Sequence, residues 1–252
     1  MNEIDIPESY RAAQYARAAY FDFGDVEAHL REIGLFSPSD SLYNLTERVE
    51  DIEAFAHYSA ARGELVVFIR GTEPDGVKDW LRDVSIIPAR WQGYLGHRGI
   101  QEGAQEVLSA MVQPMAKHSG DIVLIGHSMG GGIAAWLQIA LHGAASAVYT
   151  FGAPRVIRPG SARQFAREGF SDNHFRWVNA SDIVPRVLWW IYKHVGRLVL
   201  ISPSPEWRIL TGKEAAKQAR GMRWRSIRSL GRRGFKRHKI DNYVKRIEAQ
   251  LP

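Results

Sequence analysis

The sequence predicts an α/β fold, a mostly parallel central sheet flanked by helices. Three observations carry this. Short continuous apolar runs recur, ELVVFI at 64–69 and DIVLI at 121–125 among them, of a length suited to strands buried on both faces. Between them lie longer stretches with apolar residues at helical spacing. At 252 residues, 45% hydrophobic and 24% charged, the chain suffices for one large α/β domain over 1–252 with a full core.

The elements follow in order. Residues 8–20 read as a helix with tyrosines and alanines on one face. Residues 21–45 carry Gly24, Gly34 and Pro38 as punctuation and are expected to be loop. VEDIEAFAHYSA, 49–60, alternates apolar and polar and reads as a strand. Gly63 then opens a turn into ELVVFIRGT, so 52–69 is expected to be a hairpin. Residues 99–118 place Ile100, Ala104, Val107 and Met111 at helical spacing. Residues 121–126 are the next buried strand, and Met129 to His142 a helix closed by Gly143. SAVYTF, 146–151, is a strand ended by Gly152-Ala153-Pro154. A helix near 159–168, a strand HFRWVN at 174–179, a further strand at 198–202 and a last helix from Asp241 to Leu251 complete the pattern. There is no internal repeat.

Several function classes are excluded or demoted. With no cysteine, disulfides, thiolate metal sites and a cysteine nucleophile are impossible. The N-terminus lacks the basic-then-apolar order of a signal peptide, so a cytoplasmic location is the default expectation, with leaderless export left open. No apolar window is long enough to span a membrane. VLWWIY at 187–192 is broken by Lys193 and His194 and reads as pocket wall or core. The net charge of +6 hides an asymmetry: residues 1–150 hold 11 basic and 20 acidic side chains, residues 151–252 hold 22 and 7. Eleven of the basic ones crowd into 213–239 against Glu214 alone, so the basic character is local.

The stretch that carries chemistry is Gly126-His127-Ser128-Met129-Gly130, a Gly-x-Ser-x-Gly match. Alone the pattern is weak. Its setting strengthens it: DIVLI before it reads as strand and GGIAAWLQIAL after it as helix, the context of a nucleophile held in a strained turn. Small residues two before and two after the serine let strand and helix approach closely. The helix N-terminus would also direct N–H groups at a developing oxyanion. A serine needs a base and the base an orienting acid, in the order Ser, Asp/Glu, His for this kind of turn. His142 ends the helix of the serine turn and His174 opens a strand, so neither suits. Asp182, just past a strand end in WVNASDIVPRV, suits the acid. Glu168 and Asp172 sit at that strand's other end. The base is then His194 or His238, the latter in a loop before the last helix.

These residues lie in ordered blocks that resemble the class 3, fungal-type lipases of the α/β-hydrolase fold. The blocks are VVFIRGT (66–72), DWLRDV (79–84), HRGIQEG (97–103), GHSMGGGIAA (126–135), YTFGAPRV (149–156), NASDIVPRV (179–187), YKHVG (192–196) and HKIDNYV (238–244). The resemblance implies Ser128 as nucleophile, Asp182 as orienting acid and His238 as base. It implies oxyanion donors at Thr72 and at the backbone of Met129, and it makes YKHVG a structural block, which demotes His194. The implied activity is carboxylic ester hydrolysis on ester lipids, acylglycerols first, with no metal or organic cofactor. A phospholipase or short-chain carboxylesterase on the same triad, and a non-catalytic lipid- or anion-binding protein, are the alternatives.

Two segments stand apart. Residues 73–91 are expected to form either an amphipathic lid over an acyl pocket or a helix packed permanently on the core. The basic insertion 211–239 departs most from the family pattern. It reads as a segment touching anionic lipid surfaces or as a solvated insertion. No nucleic-acid recognition motif accompanies its charge, so nucleic acid is not the expected partner.

Overall fold

The computed structural model describes residues 4–46, 52–71, 87–180, 182–202, 208–226 and 238–252, the side chains of 221–226 aside. Its centre is an eight-stranded sheet ordered β1-β2-β3-β6-β7-β8-β9-β10. The strands are β1 (Ser41–Asn44), β2 (Ala54–Ser59), β3 (Glu64–Ile69), β6 (Asp121–His127), β7 (Ala147–Phe151), β8 (His174–Asn179), β9 (Arg197–Ile201) and β10 (Ile209–Thr211). β3, β6, β7, β8 and β9 run parallel. β1, β2 and β3 form an antiparallel meander at one edge, and β10 pairs antiparallel at the other. The sheet is therefore mixed, and parallel through its middle. A separate hairpin joins β4 (Pro88–Trp91) to β5 (Tyr94–His97).

The order of the parallel strands dictates where the helices lie. Each strand pairs with the next in sequence, without reversal, and right-handed crossovers in one direction land on one face. The crossover helices α3 (Arg98–Lys117), α4 (Met129–Ala140) and α5 (Pro159–Arg167) accordingly share one core, with Ile100, Val107, Trp136, Ile139 and Phe165 packed on Leu65, Val67 and Leu124. The opposite face is left to the chain ends. There α1 (Ile6–Ala18), α2 (Phe23–Glu32) and the last helix α7 (Ile240–Glu248) bury Tyr15, Leu30, Tyr243 and Ile247 against Val66, Phe68, Ile125 and Phe151. The continuous apolar runs are explained: alternate residues of β3 and β6 feed the two cores. The helix α6 (Gly212–Ser226) docks Ala215 onto Leu200 and Val178, so the basic insertion begins on the sheet.

Three expectations are corrected. Residues 21–45 are not simply loop. They hold α2, with Val26 and Leu30 buried one turn apart, and β1. Gly24 lies in the first turn of that helix, where it costs little, and Gly34 (φ 73°) ends the segment. In the lid segment 73–91, residues 73–86 lie outside the described residues, and 88–91 form β4 rather than helix. VLWWIY is not wall or core throughout. Leu188 and Tyr192 are buried, but Trp189 and Trp190 are 45% and 61% exposed. No helix among the described residues is long and apolar enough to cross a membrane.

Among the described residues, desolvation lowers the pKa of six histidines, first among its causes: His29, His57, His97, His127, His174 and the part-buried His194, with His174 taken to about 3. An unfolded histidine titrates near ~6.5. Below that pH the unfolded chain binds protons that these imidazoles refuse in the fold, so stability falls as pH drops. Above it neither state is protonated at these sites and the contribution is constant. Each such proton adds a slope of up to about 1.4 kcal/mol per pH unit. The melting temperature at fixed ionic strength should fall from pH 7.5 to pH 5. A flat profile over that range would show the imidazoles already charged in the fold.

Candidate active site

The parallel strands deliver their carboxyl ends to one edge, and Ser128, Asp182 and His238 gather there. β6 ends at His127 and α4 begins at Met129, so one residue turns the chain. That residue is Ser128, with φ 55° and ψ −125°, buried to 2% exposure. A non-glycine residue at such angles is strained and must be held by its surroundings. Its N–H donates to Phe151 O at 2.9 Å. The flanking glycines are steric requirements. A Cβ on Gly126 would lie 2.2 Å from Gly130 O, and one on Gly130 would lie 2.3 Å from Ile69 O. A Cβ on Gly71 would lie 2.5 Å from that of Ser128, so the chain leaving β3 brushes the serine. Thr72, the next residue and the expected oxyanion donor, lies outside the described residues. Met129 is the first residue of α4, the place expected for the second donor.

Asp182 follows β8 and is fully buried. Its Oδ1 accepts the Val184 N–H at 2.9 Å. Its Oδ2 accepts from His238 Nδ1 at 2.8 Å and from the Tyr243 hydroxyl at 2.6 Å. Burial first, and the Asp182 charge next, push the Tyr243 pKa well above 10, so this hydroxyl stays protonated and donates. It accepts in turn from the Asn179 N–H at 3.1 Å. Since His238 donates its Nδ1–H to Asp182, it carries its lone pair on Nε2. Among the described residues that nitrogen is buried with no hydrogen-bond partner. Ser128 and His238 are not hydrogen-bonded here, a spacing common in unliganded sites.

The gap between the serine turn and His238 is bridged by a residue to which the sequence assigned no role. His127 stacks on His238 with ring centroids 4.6 Å apart. Its Nε2 donates to the His238 carbonyl at 2.7 Å, which leaves Nδ1 to accept from the Tyr20 hydroxyl at 2.6 Å. Burial, and then the neighbouring His238, hold its pKa well below 6.5. It is a neutral buttress with both nitrogens committed. Gly152 was also missed. At φ 62°, a Cβ there would lie 2.7 Å from Asp182 Oδ2 and 3.0 Å from His238 Nδ1. The Phe-Gly-Ala-Pro turn was visible in the sequence, but the reason for its glycine was not.

Other histidines are ruled out by their partners. His194 donates Nε2–H to Pro185 O at 2.7 Å, and no described carboxylate faces it. His57 does pair with a carboxylate, Asp40, at 3.1 Å. Its second nitrogen, however, accepts from Tyr15 at 2.7 Å, so no lone pair remains for chemistry. Of the two buried His–Asp pairs among the described residues, only that of His238 keeps a nitrogen open.

A family model described as lipase (class 3) matches residues 66–191, half of the chain. The chain belongs to the class 3 lipase family. The lipase is accordingly an enzyme, a serine ester hydrolase with the α/β-hydrolase fold. Solved structures agree on the fold. Against the Rhizomucor miehei lipase propeptide complex the TM-score is 0.68 at 19% identity, covering 84% of this chain and 72% of that one. Against Lip2 lipase from Yarrowia lipolytica it is 0.64 at 20% identity, covering 84% and 87%. Against the lipase from Rhizopus microsporus var. chinensis it is 0.61 at 22% identity, covering 79% and 75%. No curated protein matches the sequence significantly.

Two substitutions test the frame around the base. Tyr243→Phe removes a charge-assisted hydrogen bond and strands the Asn179 N–H. It should lower kcat roughly tenfold on a soluble ester, with KM little changed and the melting temperature reduced. Gly152→Ala drives a methyl into both His238 and Asp182 and should cost about a hundredfold in kcat. Undiminished turnover in either variant would mean that Asp182 and His238 do not depend on these contacts.

Proposed function

We propose that the lipase hydrolyses acylglycerol esters through Ser128, His238 and Asp182, by way of an acyl-enzyme. The observation that carries this is the Asp182–His238 pair, with its one open nitrogen, packed through His127 against a strained serine turn. His238 Nε2 takes the Ser128 proton as Oγ attacks the ester carbonyl carbon. The imidazolium then returns that proton to the departing alkoxide as the C–O bond breaks. Water, deprotonated by the same nitrogen, attacks the acyl carbon, and the imidazolium returns that proton to Ser128 Oγ as the acyl–oxygen bond breaks and the acid leaves. Asp182 fixes the tautomer and offsets the imidazolium charge without taking the proton. His127 remains neutral beside it and so sets no like charge against the imidazolium. The backbone N–H of Met129, at the N-terminus of α4, and Thr72 are the oxyanion donors in this scheme. Losing one donor would raise the barrier by about 2.7–4 kcal/mol. Acylglycerols are favoured over phospholipids and short-chain esters because the similar Rhizomucor miehei protein is a triacylglyceride lipase.

The same reading gives the chain a single catalytic unit over 1–252 that meets anionic lipid surfaces through its basic insertion, 211–239. Two features support this. The insertion is anchored at both ends, by Ala215 on the sheet and by His238 in the site. And the connection that carries Asp182 goes on to present Trp189 and Trp190 to solvent, side chains suited to a lipid–water boundary. Their exposure is fixed by a tight turn: Tyr192 N–H donates to Leu188 O at 2.9 Å, and Leu188 and Tyr192 are buried on either side.

A fluorophosphonate probe should label the protein at Ser128, and Ser128→Ala should abolish both labelling and hydrolysis across a panel of triglyceride, phospholipid and short-chain esters. Asp182→Ala and His238→Ala should each lose at least about a thousandfold in turnover. A folded protein that the probe ignores would defeat the reading. Sedimentation of Ser128→Ala with phosphatidylglycerol vesicles, against phosphatidylcholine, tests the lipid contact apart from catalysis. Binding equal to both lipids, or unaffected by Trp189→Ser with Trp190→Ser, would remove it.

A further inference from the structure

We propose, resting on Ser128 and His238 as nucleophile and base, that Tyr20 is a positioning residue for the reaction. Its hydroxyl, acting through His127, couples His238 to the chain that leaves β3 beside the serine. Tyr20 lies just past α1, where its N–H donates to Arg17 O at 3.0 Å and the Phe21 N–H donates to Ala18 O at 3.1 Å. A turn that continues the helix therefore fixes its backbone. From there the half-buried side chain reaches the end of β6.

The hydroxyl donates to His127 Nδ1 at 2.6 Å. The direction is fixed, because His127 Nε2 faces the His238 carbonyl at 2.7 Å and must carry the ring proton. The same oxygen lies against the chain leaving β3: a Cβ on Gly71 would be 2.9 Å from it and 2.5 Å from the Ser128 Cβ. Arg70, the residue before, sets its guanidinium 5.2 Å from the centroid of the Tyr20 ring and pairs with Glu53 at 2.5 Å. Tyr20 is thus held by the exit of β3 on one side. On the other it reaches, through one imidazole, the main chain of His238.

The hydroxyl's effect follows from the tautomer. With it, both nitrogens of the buried His127 ring are satisfied while the ring stacks on His238 at 4.6 Å. Without it, Nδ1 is a buried acceptor that has lost its donor, and the ring gains by turning toward another partner. Any such turn gives up the bond to the His238 carbonyl and lets the stacked imidazole drift from Ser128. Catalysis is sensitive on that scale: a misplacement of about 1 Å costs up to about a hundredfold. Ring packing alone would survive loss of the hydroxyl. Phenylalanine keeps the face that Arg70 covers and the edge-on contact with His127.

The test compares Tyr20→Phe, His127→Phe, the double variant and Tyr10→Phe in hydrolysis of a soluble ester and in the rate of fluorophosphonate labelling. Tyr10 is the control: in an exposed contact it donates to Glu248 of α7 at 2.9 Å, so its variant loosens the same pair of terminal helices roughly three turns before Tyr20. Tyr20→Phe should lose roughly tenfold in kcat and in labelling rate, with KM within about twofold. In the His127→Phe background the same change should cost nothing further, because the hydroxyl acts through that ring. Tyr10→Phe should lower the melting temperature and leave kcat unchanged. Undiminished turnover in Tyr20→Phe, an equal loss with and without His127, or an equal loss in Tyr10→Phe would each overturn the assignment, while Ser128 labelling of the wild type would still uphold the hydrolase reading. A folded wild type that the probe leaves unlabelled would remove both. If His127→Phe does not fold, the contrast in kcat between Tyr20→Phe and Tyr10→Phe decides the matter.

Discussion

The left-handed backbone at Ser128 is the constraint on which the remainder of the site depends. Strain of that kind costs of order 1–3 kcal/mol and persists only where the neighbours leave no alternative. Here β6 is pinned between β3 and β7, both buried, and α4 packs on the same strands. The turn between them has one residue in which to reverse direction. The close approach that results is why Gly126, Gly130 and Gly71 tolerate no side chain. Relaxing Ser128 to ordinary angles would require α4 to lift from the sheet and expose Trp136, Leu137 and Ile139. The hydrophobic burial of that helix therefore maintains the serine's conformation.

Topology supplies the partners. Because β3, β6, β7 and β8 are adjacent and parallel, Gly71, Ser128, Gly152 and Asp182 emerge side by side at one edge. The imidazole paired with Asp182 has to come from elsewhere, since the crossovers occupy one face and leave the other to the chain ends. α7 brings His238 to the edge from that second face, and Tyr243, on the same helix, fastens it to Asp182. Tyr20, just past α1, fastens His127. Both terminal helices are thus built into the site.

What could be read in the sequence is what has a local cause. The spacing of Gly126 and Gly130 about Ser128 is set by clashes within one turn, so it shows as a motif. The two-faced burial of β3 and β6 shows as unbroken apolar runs. Asp182 was legible because the end of β8 could be located. His127, Tyr243 and Gly152 were not, because their roles are contacts across 111, 61 and 30 to 86 residues of chain, and no short pattern records such distances. α2 was hidden by Gly24 in its first turn, and the β4–β5 hairpin by its brevity. The tryptophan pair was misread because composition alone makes it look like core. Its exposure follows from a turn that buries Leu188 and Tyr192 instead.

The two buried His–Asp pairs show how little separates scaffold from chemistry. His57 and His238 each donate to a carboxylate, and each lies near a tyrosine hydroxyl. In one, Tyr15 donates to the imidazole itself and closes the network. In the other, Tyr243 donates to the carboxylate, which strengthens the orienting partner and leaves the imidazole nitrogen open. Moving one hydroxyl by a single position in the chain of hydrogen bonds converts a locked structural histidine into one able to accept a proton. Since both nitrogens of His127 are committed, the open imidazole nitrogen of this stacked pair is His238 Nε2. The packing of α1 and α7 holds that imidazole against the serine turn by way of His127.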